Sequence, residues 1–469
     1  MRIARPDIAI VGAGFTGVAL AIRLLRTLPD GASLLLIGTP RATGHGYAYG
    51  TELSDHLLNV RAGRMSVVSD EPRHFVAWLK QRSHHDGDLE ESYQPRPLYG
   101  DYLRDTLRKS ISAQRGRMNA EVREGTVIDV ERQGHGLGIQ LSDGERVLAK
   151  AVILATGNAR GEFPLPIAVA ADAQDFMIRD PFFDYRIKTI APECRVLLVG
   201  TGLTMVDHLL RLEANGHRGK ILAVSRHGLL PAAHPQRSRA VRQPRLPVGA
   251  GLVGLLRSLI ADAKQAAREG DDWQSLMDGL RPQVARLWND LSEGERRRFL
   301  RHAEAFWSVH RHRMAPQIGA RIDEMRVAGR FAVRAGRVLG VRIAPQGLTV
   351  AFRPRGETDT ELLAIDWIVN CSGIRAAGPR TDRFIAALVG RGLARPARVG
   401  GGIDVTTESG VIDRDGNTVD GLYAAGPLTV GTFYEITAVP EIRAQAVGVA
   451  RAVTDFLAAT RGADARAST

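Results

Sequence analysis

Gly12-Ala-Gly-Phe-Thr-Gly17 follows a short apolar run over 7–11 and precedes a stretch with apolar residues at helical spacing over 18–27. A glycine-rich turn between a strand and a helix leaves few folds open. Gly12 permits the tight turn, Gly14 lets a pyrophosphate approach the backbone, and Gly17 allows close helix-strand packing, while the helix N-terminus offers free N–H groups. A second strand over 33–37 completes a βαβ start, the opening of a parallel sheet covered by helices. The plainer alternative is the same turn with no ligand. An acid that commonly follows the second strand to hold a ribose would fall near Gly38 or Thr39, and neither is acidic.

The order recurs. A strand over 195–199 leads into Gly200-Thr-Gly-Leu-Thr-Met205, a helix to about Asn215 and a strand over 220–225. Met205 stands where the third glycine would be. Each half later reaches an apolar strand ending in a small turn, Ala155-Thr156-Gly157 in one and Cys371-Ser372-Gly373 in the other. Two nucleotide turns with matching strand ends are hard to explain by chance. The expected fold is therefore α/β, with two Rossmann-like dinucleotide-binding domains of the glutathione-reductase-like type and a helical insertion. The first domain is expected over 1–165 and again over 374–460, the second over 190–373 with the insertion at about 248–329, and 461–469 is read as a disordered tail. A helix is expected over 74–80 and a β-meander over 121–149. In the second half, Gly200, Gly202, Leu203 and Thr204 would hold NADH or NADPH. Arg226, at the end of the second strand, would favour a 2′-phosphate, or would be a solvated loop residue.

Length and charge narrow the function class. The 469 residues imply two or three domains. The net charge of +12 is spread along the chain without a basic tail or interleaved aromatics, which points to anionic small molecules rather than nucleic acid. Two cysteines, Cys194 and Cys371, form neither a disulfide framework nor a Cys-x-x-Cys pair, and a reducing cytoplasm is expected. The start Met1-Arg2-Ile3-Ala4-Arg5-Pro6 has the basic look of a leader. The uncharged run behind it is broken by three glycines and is shorter than the roughly 20 apolar residues of a span, so neither a leader nor a membrane segment is expected. No metal site is expected, because His310 and His312 are two apart and lack a ligand cluster.

Several longer motifs carry a resemblance: Gly44-His-Gly-Tyr-Ala-Tyr49, His56-Leu-Leu-Asn-Val60, Arg64-Met65-Ser66, Gly200 to Asp207, Ser225-Arg-His-Gly-Leu-Leu-Pro231, His310-Arg-His-Arg313 and Glu435-Ile-Thr-Ala-Val-Pro-Glu-Ile-Arg443. With these the chain resembles the bacterial FAD/NAD(P)-binding oxidoreductases of the YdhS-like family, related to flavin-dependent monooxygenases. The resemblance implies FAD at the turn formed by Gly12, Gly14, Phe15, Thr16 and Gly17, with Thr156, Gly157, Gly373 and Gly426 as further cofactor contacts. It places Asn59, Arg64, Met65 and Ser66 beside the isoalloxazine. His45 and Tyr47 would touch the flavin or cap a turn. Gly426-Pro427 stands where many such proteins have Gly-Asp, so that ribityl contact is missing. The helix start near Glu435 and Thr437 would aim N–H groups at the flavin pyrimidine, or simply pack on the sheet.

The activity expected from these features is hydroxylation of a small polar, anionic substrate by an FAD monooxygenase using NAD(P)H and dioxygen. Urate or a similar heterocycle leads, with N-hydroxylation of an amine or amino acid as the alternative. Electron transfer to a partner, or a non-enzymatic redox sensor, are further readings. No catalytic triad is visible, which suits chemistry carried by the cofactor. Asn59, Arg64, His310 and Arg313 are the candidate catalytic residues; the His310–Arg313 run would hold an anion or form salt bridges between domains.

Overall fold

The computed structural model describes residues 3, 5–39, 43–82, 87–159, 168–169, 171–373, 375–376 and 378–467. Two sheets organise the chain. In the first, Gly410–Ile412, Thr418–Ala424, Ala151–Leu154, Ile8–Val11, Ser33–Gly38 and Asn119–Glu124 lie side by side in that order. All its pairings are parallel except the outermost, between Gly410–Ile412 and Thr418–Ala424. The central strands are apolar at every position because both faces are covered. Helices Phe15–Thr27, Arg96–Ala113 and Val439–Ala467 pack on one face, and the three-stranded antiparallel layer Val127–Gln133, Gly136–Leu141 and Arg146–Ala149 on the other.

The second sheet runs Met177–Ile178, Trp367–Asn370, Val196–Val199, Ile221–Ser225, Phe331–Ala344, Gly347–Pro354 and Glu361–Ile365. Its first five strands are parallel and its last two antiparallel to their neighbours. Helix Leu203–Ala214 follows the second glycine turn. Helix Pro316–Val327 makes the crossover from Ile221–Ser225 to the parallel strand Phe331–Ala344, burying Ile318, Ile322 and Met325 beneath the sheet.

Several boundaries differ from expectation. Asn119–Glu124 is the edge strand of the first parallel sheet, not the first member of a meander, and only the three strands after it are antiparallel. Ala168–Val169 and Met177–Ile178, ahead of residue 190, pair with strands of the second sheet. Since Pro316–Val327 is a crossover helix of that sheet, the insertion proper comprises the helices from Gly251–Arg268 to Glu304–Arg311. The tail read as disordered continues helix Val439–Ala467 through residue 467, in keeping with its alanines and arginines, which are strong helix formers. Residues 468–469 and 160–167 lie outside the described residues. Among the described residues no helix is long and apolar enough to cross a membrane.

Candidate functional site

The two glycine turns are built alike. Gly12 and Gly200 have φ of 109° and 120°, open to glycine, and each N–H bonds to the end of the next strand, Ile37 O and Val224 O at 2.8 Å. A Cβ on Gly12 would lie 2.3 Å from Ala155 O, and one on Gly200 would lie 2.0 Å from Cys371 O. The small turns Ala155-Thr156-Gly157 and Cys371-Ser372-Gly373 thus press against the glycine turns, which is why both strand ends carry small residues. Gly14 and Gly202 behave differently. They cap the helices, and a Cβ there would meet only Gly46 Cα at 3.9 Å in the first case and nothing within 4 Å in the second. That open backbone face at a helix N-terminus is the cradle a pyrophosphate needs. Thr156 adds a buried hydroxyl with no hydrogen-bond partner among the described residues beside the first turn. The residues present therefore fit two dinucleotides.

Gly38 also has a steric reason. A Cβ there would stand 2.4 Å from the Ala13 methyl, so the position expected to offer an acid instead has to stay small.

A cleft of about 1760 Å³ opens between the two domains and the insertion. On the second-domain side it exposes Gly200, Gly202, Leu203, Thr204, Arg226 and Gly373, and across the sheet end Arg337 and Arg353, which face each other on neighbouring strands. None of these three arginines forms an ion pair with a carboxylate among the described residues. Three guanidiniums with no carboxylate partner among the described residues are the chemistry that could hold an anion there. On the first-domain side the cleft is lined by Asn59, Arg64, Met65, Pro427, Glu435 and Thr437.

The insertion closes the cleft with charged side chains. Arg313, 4% exposed, donates to Gln274 Oε1 at 2.6 Å and pairs with Asp278, and Arg64 stands 3.6 Å from the same carboxylate. His234 donates from Nε2 to Asn59 O at 3.0 Å. Burial, helped by the Arg313 charge, pushes its imidazole down to about 3, so it is neutral near pH 7. His312 is also lowered, chiefly by burial. Glu441 stays below its ordinary value: burial would raise it, but the Arg281 hydrogen bond and the Arg281 and Arg311 charges outweigh that.

Not every expected site residue faces this cleft. His310 points to solvent, where its Nδ1 lies 2.7 Å from Phe306 O and its ring meets Trp273 edge-on at 4.6 Å; its helix turns Arg311 and His312 inward instead. His45 sits against Asp101 and Arg104, at 3.5 and 3.1 Å, and does not line the cleft. The Phe15 ring packs with Tyr49 and Tyr99 in the core, so any contact it makes with a dinucleotide is through its backbone. Arg313 is committed to Gln274 and Asp278 rather than free. Thr16 is buried against Gly426, whose N–H is taken by Gln445 Oε1 at 2.8 Å. Gln445, Arg337, Arg353, His234 and Arg281 escaped the sequence reading. The alternation in 336–353 marks strands but not which strand end lies beside Arg226.

Residues 9–159 match a family model described as FAD-NAD(P)-binding. Solved structures similar over nearly the whole chain include the ornithine N-hydroxylase of Kutzneria sp. 744 (TM-score 0.62, 15% identity, covering 96% of this chain and 99% of that one). The L-lysine 6-monooxygenase of Pseudomonas syringae gives a TM-score of 0.62 at 16% identity, with 96% and 99% covered. Lactococcus lactis thioredoxin reductase gives 0.53 at 13% identity, with 97% and 99% covered. The fold is that of a two-domain FAD/NAD(P)-binding flavoprotein. Its cofactors are FAD and a nicotinamide dinucleotide. Among curated proteins, the L-aspartate N-monooxygenase (nitrosuccinate-forming) of Streptomyces cremeus is 27% identical over 290 residues, 53% of this chain. The chain spans 42% of that relative's length.

Proposed function

We propose that the chain is an FAD-dependent N-hydroxylating monooxygenase that draws on NADPH and dioxygen and acts on a small amine bearing carboxylates, an amino acid of the aspartate type. The observation that carries this reading is the similarity over 290 residues to a protein named for N-monooxygenation of L-aspartate. The N-hydroxylating alternative thereby moves ahead of urate. The basic cleft supports an anionic substrate, with Arg64, 45% exposed and 3.6 Å from Asp278, the guanidinium best placed to take a carboxylate. His234, held neutral, and the Asn59 backbone it bonds would keep that wall free of a competing charge.

Bound FAD, reduced by the nicotinamide cofactor, supplies the oxygen-activating chemistry. The protein's part is to hold and orient. Gly12–Gly17 would cradle the FAD pyrophosphate and Gly200–Thr204 that of the second dinucleotide. Arg226, Arg337 and Arg353 would receive the 2′-phosphate that distinguishes NADPH from NADH. The two cysteines, Cys371 buried and Cys194 half-buried, form no Cys-x-x-Cys pair.

The test is oxidation of NADPH and NADH by the purified yellow protein with L-aspartate, L-ornithine, simple amines and urate, with products identified by mass spectrometry. NADPH oxidation stimulated by L-aspartate, with an N-oxygenated product, is the expected result. Stimulation by urate alone, or oxidation that ignores every amine, would overturn it.

A further inference from the structure

Among the described residues, two that are not glycine adopt a left-handed backbone, Ser409 and Glu435, the latter at φ 68°. A side chain with a Cβ resists that conformation and keeps it only where the surroundings over-determine it. Around Glu435 they do. Its carboxylate is buried, with Oε2 accepting from Arg311 Nε at 2.7 Å and Oε1 accepting from Trp307 Nε1. Both donors sit on the last helix of the insertion, Glu304–Arg311. Arg311 Nη2 continues to Glu441 at 3.1 Å, and Glu441 also accepts from Arg281 Nη2 at 2.7 Å. Upstream, Trp288 Nε1 donates to Gly431 O at 2.9 Å, and its ring stacks on Tyr434 at 4.4 Å. One stretch, 431–441, is therefore gripped by the insertion along its length, and within it Thr437, Ala438 and Val439 form cleft wall.

We propose that Glu435 is a positioning residue and that the helical insertion is the clamp through which it acts. The carboxylate, held by Arg311 and Trp307, keeps residue 435 in its left-handed turn. That turn sends the chain from Tyr434 to the helix beginning at Val439 and so sets where Thr437 and Ala438 stand, on the wall where the flavin ring is expected. Glu435 transfers no proton. The inference rests on FAD occupying the first site but not on the identity of the substrate.

The test uses the FAD-loaded full chain and the near-isosteric Glu435→Gln, read by hydrogen exchange across 431–441, by the visible spectrum of the bound flavin and by its reduction with NADPH. Exchange in that stretch is expected to quicken tenfold or more and the flavin bands to shift. The reduction rate should fall about tenfold, while the NADPH concentration for half-maximal rate stays within twofold and the pH profile keeps its shape. Glu435→Gly, which accepts φ 68° without strain, should lie at least threefold closer to the parent than Glu435→Ala. If the charge-removing variants do not fold, Trp307→Phe, which deletes one donor, should give a smaller change of the same sign. Unchanged exchange and spectrum in Glu435→Gln or Trp307→Phe, a glycine variant no better than alanine, or a lost limb of the pH profile would overturn the proposal. A chain that oxidises NADPH yet hydroxylates no amine would sink the substrate reading and leave these arms intact.

Discussion

At the residue scale, the glycines of each turn have different jobs, and substitutions should separate them. Gly12→Ala puts a Cβ 2.3 Å from Ala155 O at φ 109°, so it should destabilise the fold by at least the ~1–3 kcal/mol of backbone strain, seen as a lower unfolding temperature. In Gly14→Val the added Cβ meets nothing among the described residues closer than Gly46 Cα at 3.9 Å; the variant should leave a folded protein that has lost its yellow colour. Gly202→Val, whose Cβ has no atom of the described residues beyond its own segment within 4 Å, should keep the colour and lose reduction by NADPH. His234 makes a pH prediction. Its folded value, about 3, lies below the ~6.5 of an unfolded histidine, so the unfolded chain binds the extra proton first. Stability from this group is present above about pH 6.5 and falls as pH drops toward 3, by up to ~1.4 kcal/mol per unit. Replacing His234 with Gln should flatten that limb of a stability-versus-pH curve measured with denaturant.

Among the elements, those with strong local signals were readable in advance. The strand, turn and helix around each glycine motif stand where the pattern puts them, and helix His74–Lys80 falls on its expected span. Helix Arg96–Ala113 went unseen, because its mean hydropathy is low and its apolar face is carried by Tyr99, Tyr102, Leu103 and Leu107 amid charged residues. The insertion is held by local devices that can be tested. Ser292 caps helix Glu293–His302 in a reciprocal pair with Glu295, whose carboxylate also accepts from Leu252 N at 2.8 Å. Ser292→Ala should weaken that helix by about 1 kcal/mol and hasten proteolytic cutting there, without removing FAD. The three arginines beside the second turn come from three segments: Arg226 follows strand Ile221–Ser225, and Arg337 and Arg353 lie on the next two strands. Arg226→Ala or Arg353→Ala should raise the KM for NADPH about tenfold and leave NADH nearly unchanged, in keeping with loss of a charge-assisted contact.

Across the whole molecule, buried polar contacts join the two nucleotide domains, beside apolar packing of Leu57 and Tyr93 on the second domain's core. Arg96 of the first domain pairs with Asp207 of the second at 2.6 Å, with little exposure of either side chain, and His56 donates from Nε2 to Asp207 O at 2.8 Å. Arg321–Asp55 at 2.7 Å and Lys188–Glu52 at 2.6 Å add exposed pairs around it. Breaking the buried pair leaves a charge unmatched, so Asp207→Leu should destabilise the domain contact by about 3–5 kcal/mol. Loss of Glu52 should be almost silent in the same unfolding measurement.

What the sequence determined by itself is local: the two glycine turns, their strands and helices, and the repetition of the first unit in the second. Short-range sterics demand those residues wherever such a turn occurs, so they can be read in order along the chain. Tertiary structure decided the rest. It turned His310 outward and Arg311 inward, placed Arg337 and Arg353 beside Arg226, and brought Glu435 under Trp307 and Arg311, more than a hundred residues away. Those arrangements depend on which strand ends meet and how the insertion docks, and no spacing within one segment encodes either.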